Sequence, residues 1–315
     1  MSASAEQDDI DRQLPAGDEI FLDHVAHFVR AAEPARRALT RSGFAPTPVS
    51  IQVNADPANS DAAGGARPTG TGNVTAMFAR GYMEVLFKTA ETALSREFDA
   101  ALASHAGLHL AAFAVADAAK AHRRLASNGF RVRELTRMQR PVETEAGAET
   151  AAFTIARVEP EMMPEGRIQL LTHHTERAVW QPRWLSHPNS ATGLIDVVIA
   201  VADVEEAAQR FARFTGRAAT RTPGGALLRL DRGGVYLVTH DRATEKLPEV
   251  PITTLPFIAG YAIRVQSLAA AEAAVDRADL EWRAIEDGVV AAFPAELGEG
   301  AWFFVERAAA LPWRR

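Results

Sequence analysis

The sequence contains no cysteine, which removes disulfides, thiolate nucleophiles and cysteine-ligated zinc together, so any metal must be held by nitrogen and oxygen. No apolar run approaches the roughly 18 residues that a membrane span needs. No Lys/Arg-rich run stands out either: 34 basic residues face 40 acidic ones, a net charge of -6. A nucleic-acid or anionic-membrane surface therefore has no electrostatic support, and a small neutral or metal-chelating ligand suits the composition better. The start of the chain, with Glu6, Asp8, Asp9, Asp11, Asp18 and Glu19, is acidic and so unlike a secretory leader, which is basic and then apolar. The expectation is a cytoplasmic protein with a frayed tail over residues 1–19.

What the chain does have is room for about two domains, with 47% apolar residues among its 315 to fill their cores. Phe21–Val29 reads as a buried strand carrying His24, and Gly81–Phe87 as another carrying Glu84 among Tyr82, Met83, Val85, Leu86 and Phe87. A carboxylate in such a strand is costly to bury unless a metal, an ion pair or a catalytic role compensates it, and His24 is the nearest candidate partner. Between them lie a helix opened by Glu33-Pro34 and closed by Gly43, a strand at Val49–Val53, a loop over Asp56–Gly72, and a hairpin around Arg80-Gly81.

This strand–helix–three-strand pattern recurs. Gly107–Asp117 opens a second copy that ends near Gly166–Thr172. Gly193–Asp203 opens a third and shares Gly-Leu and Ala-Val-Ala-Asp with the second at identical spacing. A fourth runs from Gly260–Gln266 to Ala301–Glu306. The expected fold class is α+β, four βαβββ modules paired into two half-barrel domains. The expected boundaries are 20–175 for the first domain, 176–192 for a linker and 193–315 for the second.

Modules of this order, with an imidazole on the first strand and a carboxylate on the last, resemble the vicinal oxygen chelate superfamily, which includes glyoxalase I and the extradiol dioxygenases. The resemblance implies one divalent metal (Zn, Mn, Fe or Ni) held by His24, Glu84, His109 and Gln169, with Glu84 as ligand or proton shuttle. Counting back seven residues from Asp117, as related first strands do, reaches Leu110 and not His109. Because side chains alternate faces, His109 then needs a bulge to point inward. A lyase or isomerase of the glyoxalase type is the implied activity on a small oxygen-chelating substrate. An extradiol-type dioxygenase and a metal-free sequestration protein are the alternatives. The matching positions of the second half read as Asp196 or Val197, Leu237, Ala262 and Phe303, which cannot form a three-ligand site. That half is therefore expected to buttress the first or to support homodimer contacts. His27 reads as core. The linker with His173, His174, Trp180, Trp184 and His187 reads as a structural crossing more readily than as a cover over the pocket mouth.

Overall fold

The structure is a computed structural model, and it describes residues 12–54 and 67–315. Most of the expected 1–19 tail and the first part of the Asp56–Gly72 loop lie outside the described residues. The first module comprises β1 (Ile20–Phe28), α1 (Ala32–Arg41), β2 (Ser50–Asn54), β3 (Arg67–Met77) and β4 (Tyr82–Lys88). Helix α2 (Ala93–Ser104) leads to the second, with β5 (Gly107–Val115), α3 (Ala118–Ser127), β6 (Thr136–Thr144), β7 (Gly147–Arg157) and β8 (Arg167–His173). After the short α4 (Glu176–Val179) comes the third, with β9 (Ala191–Val201), α5 (Val204–Thr215), β10 (Ala219–Thr222), β11 (Gly225–Arg229) and β12 (Gly234–Thr239). Helix α6 (His240–Lys246) precedes the fourth, with β13 (Phe257–Val265), α7 (Leu268–Arg277), β14 (Trp282–Ile285), β15 (Gly288–Ala292) and β16 (Ala301–Val305).

Local chemistry explains the boundaries. Asp117 and Asp203, the last residues of the shared Ala-Val-Ala-Asp motif, are N-caps whose carboxylates accept from the backbone N–H groups of Lys120 and Glu206. Ser267 caps α7 in the same way, and Thr92 with Ser95 forms a capping box on α2. One expectation is corrected: β3 begins at Arg67 and runs through Gly70 and Gly72, where a loop was expected. Gly72 belongs in the strand because a Cβ there would lie 2.9 Å from the Phe87 ring. Its glycine makes space for an aromatic neighbour and does not mark a turn.

The first two modules close into a barrel of order β1-β4-β3-β2-β6-β7-β8-β5, and the last two form an open eight-stranded sheet of order β10-β11-β12-β9-β13-β16-β15-β14. The halves grip each other reciprocally. The Leu22 N–H donates to the Arg232 carbonyl and the Leu194 N–H to the Arg80 carbonyl, both at 2.8 Å. Each first strand thus meets the other half's Arg-Gly turn. These turns need glycine: Gly81 (φ +74°) and Gly233 (φ +83°) are left-handed, and a Cβ on either would sit 2.7 Å from a carbonyl oxygen, that of Asp23 or Ile195.

A continuous apolar core joins the halves through Phe44, Phe78, Phe211, Phe214, Tyr261 and Trp302. His27 is buried in this seam. Its Nδ1–H donates to the Leu297 carbonyl at 3.0 Å, and its Nε2 lies 3.0 Å from the Tyr261 hydroxyl, which also accepts from the Trp302 indole at 2.7 Å. Burial pushes the His27 imidazole down to about 4, against the opposing pull of the Leu297 carbonyl.

The register also shows what occupies the second sheet's inward positions. His24 pairs with Tyr82 and Ala26 with Glu84 in the barrel; Asp196 pairs with Gly234 and Val198 with Tyr236 in the sheet. The counterpart of Glu84 is therefore Tyr236, and Leu237, one residue on, faces the helices. By the same reasoning Leu110 and Gln169 correspond to Gly260 and Phe303, not to Ala262 and Phe303. Trp313, near the C-terminus, stacks on Tyr236 (centroids 4.8 Å, planes 5° apart), meets Phe303 edge-on and donates its indole N–H to Asp196 at 2.7 Å. Arg314 completes the plug with a bidentate pair to Asp196.

Two measurements test this packing. Because the folded His27 titrates below its unfolded value of about 6.5, the unfolded chain binds more protons between pH 6.5 and 4. Its contribution is thus fully present above pH 6.5 and lost as pH falls toward 4. Urea midpoints should fall across that window in the parent and less in His27→Gln. Leu237 is fully buried among the helix-facing apolar residues, so Leu237→Ala should lose about 2–5 kcal/mol in urea unfolding while leaving ligand binding in the first barrel unchanged.

Candidate functional site in the first barrel

The barrel encloses a cavity of about 50 Å³ lined by His24, Glu84, Gln52, Asn73, Arg140 and Gln169, among others. His24 enters it from β1, Glu84 from β4 and Gln169 from β8. His109 does not: Leu110 lines the cavity in its place. A bulge does occur here, since β5 advances two residues, Leu110 to Leu108, while β1 advances one, Ala26 to His27. The extra residue is His109, but its ring turns to lie against His105 and Phe28, and its Nε2–H donates to the His105 carbonyl at 2.9 Å. His109 is therefore withdrawn as a ligand in the cavity.

A second bulge, between Leu22 and His24, gives β1 its own extra residue, Asp23. Neighbouring strand residues normally point to opposite faces. The bulge relaxes that rule and lets the Asp23 carboxylate reach its neighbour's ring, so that the His24 Nδ1–H donates to Asp23 at 2.7 Å. The other Asp23 oxygen accepts from His173 Nε2 at 3.0 Å. Burial alone would raise the Asp23 carboxyl, but the charge and hydrogen bonds of His173 and His24 outweigh it and hold it well below the usual carboxylate range. With Nδ1 engaged, His24 presents Nε2 to the cavity, the arrangement that fixes tautomer and orientation in functional imidazoles. Tyr82 stacks on the same ring, centroids 4.5 Å apart. Burial, reinforced by the charges of Asp23 and Glu84, pushes the Tyr82 phenol well up, so it stays a neutral donor.

Glu84 is braced on one oxygen and open on the other. Its Oε1 accepts from Asn73 and, at 3.2 Å, from Gln52, while Oε2 stands 3.8 Å from His24 Nε2. Gln169 is placed differently, for its Oε1 already accepts from Arg157 Nε at 2.9 Å. Arg157 and Arg167 both line the cavity. Burial lowers Arg157 to about 9, helped by the Arg167 charge, and lowers Arg167 despite the pull of Glu97. Both stay cationic at neutral pH. Among the described residues no cluster of three or more His, Cys, Asp or Glu side chains is placed to hold a metal. The strong donors facing the cavity are two, His24 and Glu84.

The linker histidines stand outside the cavity. His187 accepts from the Ala45 N–H at 3.0 Å and donates to the Met77 carbonyl at 2.7 Å, and His174 lies 2.8 Å from the Thr154 hydroxyl. They tie the crossing down, while Val179 and Trp184 of the same crossing line a groove outside the barrel. The sequence reading missed Asp23, Asn73, Arg140, Arg157 and His173. A period-2 count from Gln169 reaches Arg167, and alternation along β6 and β7 would have placed Arg140 and Arg157 on the inward face beside Met138 and Ile155.

A closed barrel of paired βαβββ modules, with polar side chains converging inside one module pair, is a fold of the vicinal oxygen chelate kind. The chain belongs to the glyoxalase-like domain family, which matches residues 22–215. No curated protein matches it in sequence. Among solved structures it is similar to a hypothetical protein from Staphylococcus aureus, at 8% identity and TM-score 0.60, covering 90% of this chain and 98% of that one. It is similar too to a triple mutant of 4-hydroxymandelate synthase from Streptomyces coelicolor, at 13% identity and TM-score 0.56, covering 92% and 93%. A third is a fusion of a xylose isomerase-like TIM barrel with 4-hydroxyphenylpyruvate dioxygenase, at 12% identity and TM-score 0.55, covering 95% of this chain and 51% of that one. Likeness at these identities shows the fold. Among the described residues no helix is long and apolar enough to cross a membrane.

The Asp23 bridge yields its own test. Asp23→Ala leaves two buried imidazoles short of their acceptor and should cost about 2–5 kcal/mol by urea unfolding. Its effect on the functional site should exceed that of His109→Ala, because His109 lies outside the cavity.

Proposed function

We propose that the first barrel is the active site of a small-molecule enzyme, with a divalent metal anchored by His24 and Glu84 and chemistry of the lyase or isomerase type. The observation that carries this reading is the pair of open lone pairs: His24 Nε2 and Glu84 Oε2 face one cavity 3.8 Å apart, each steadied from behind by Asp23 or by Asn73 and Gln52. Two ligands at about 2.1 Å from one ion can span up to about 4.2 Å, so the separation suits a shared ion. The donor set, one imidazole and one carboxylate, is compatible with Zn, Mn, Fe or Ni without selecting among them. Gln169 is bonded to Arg157 and Leu110 offers no donor, so the remaining positions fall to solvent and substrate.

Bound there, a divalent ion would act as a Lewis acid on a substrate oxygen. The chain supplies the rest. Asp23 fixes the His24 tautomer. Asn73 and Gln52 pin one Glu84 oxygen, so the other is the atom placed to bind or to receive a proton. Leu86, Leu110, Met138, Phe153, Ile155 and Leu171 limit water around the pair, which strengthens its electrostatics. An extradiol-type reading needs two imidazoles and a carboxylate together, and the turn of His109 away from the cavity weighs against it.

Protein purified without chelators should carry close to one divalent ion per chain by elemental analysis, and Glu84→Gln should bind it far more weakly while the stripped proteins melt at similar temperatures. A Glu84→Gln variant that keeps metal affinity yet melts well below the parent when both are stripped would instead make His24 and Glu84 a buried hydrogen-bonded pair in a metal-free binding protein.

A further inference from the structure

We propose that the substrate of this cavity is a small organic anion whose carboxylate is held by Arg140; this rests on the reading of the first barrel as a small-molecule site. Arg140 comes from β6 and is 8% exposed, yet among the described residues its guanidinium makes no hydrogen bond and no ion pair within 4 Å. It lines the cavity and, among the described residues, feels the longer-range pull of the Glu84 carboxylate. Burial lowers its pKa, but a guanidinium does not discharge at neutral pH. A buried cation without a paired anion is strongly unfavourable, and a ligand's carboxylate would relieve that cost.

The surrounding charges agree. Arg140, Arg157 and Arg167 line the cavity against one carboxylate, Glu84, with Glu97 reaching Arg167 only at 3.9 Å from outside. Of the three, Arg167 is further engaged with the Phe28 ring and Arg157 is oriented by Gln169. Arg140 is therefore the unmatched fork of the three among the described residues, and planar forks recognise carboxylates in bidentate fashion. The cavity, about 50 Å³, is small, so it takes a head group and not a whole ligand. Arg140 also lines an outer groove with Val49, Ile51, Val142, Val179 and Trp184, so a ligand held by its head in the cavity has an apolar track along which its body can leave.

Benzoate and phenylacetate, with benzamide and phenylacetamide as neutral isosteres, probe the site by calorimetric titration. The parent should bind the carboxylates at least tenfold more tightly than the amides. Arg140→Gln should lose at least tenfold of that affinity, and Arg140→Lys, which keeps the charge but not the fork, should fall between. Without ligand, Arg140→Lys should melt near the parent temperature and Arg140→Gln, which removes the uncompensated charge, at or above it. Glu84→Gln separates the two proposals: it removes the competing carboxylate and should bind benzoate at least as well as the parent even where it has lost metal. Equal binding of acid and amide, no carboxylate binding at about 10 mM, or unchanged affinity in Arg140→Gln would overturn the anion site, and none of these results bears on the metal content of the parent.

Discussion

Burial of the Asp23 carboxylate sets the terms for the rest of the site. A charge placed wholly out of water must be met by donors, and Asp23 is met by two imidazoles, one on its own strand and one on β8. The bridge therefore spans both modules of the barrel: it presents His24 to the cavity from β1 and holds His173 on β8, across the one intervening strand β5. It depends in turn on an irregularity of the backbone, because only the bulge at Asp23 lets adjacent residues meet. A slip of one residue in β1 would undo the hydrogen bond, the tautomer and the approach to Glu84 together.

The order of modules was legible in the sequence because repeated strands and N-caps leave local signatures. Gly-Leu and Ala-Val-Ala-Asp mark the same strand end and the same helix start in modules two and three. The pair His24 and Glu84 was legible because a polar side chain in an apolar strand is conspicuous. Register was not. The bulges at Asp23 and His109 are set by the meeting of β1 with β5, a contact between residues far apart in the chain, and no local pattern announces them. The arginines escaped notice for a different reason: Arg140 stands among Gln139, Pro141 and Thr144 on a strand whose polar composition hides its alternation with the apolar Met138. Gly72 misled in the opposite sense, since its composition-based reading as a loop ignored the Phe87 ring it accommodates.

The two halves share a scaffold and a grip on each other, through the Leu22–Arg232 and Leu194–Arg80 backbone bonds, yet they differ in what their inward faces contain. In the barrel those positions are His24, Glu84, Leu110 and Gln169; in the sheet they are Asp196, Tyr236, Gly260 and Phe303. Three of the first set are polar, and the set lines a cavity. Two of the second set are aromatic, and Asp196, Tyr236 and Phe303 close on Trp313.

That arrangement of Trp313 makes the C-terminal half a permanently liganded copy of the motif. Its indole is sandwiched against Tyr236, edged by Phe303 and anchored through a single N–H to Asp196, which are the contacts a flat heteroaromatic guest would seek in a host of this shape. Because the guest is tethered to the host by the chain itself, its effective concentration there excludes free competitors. The inward positions that enclose a cavity in the first barrel thus close, in the other half, around a ring supplied by the chain itself.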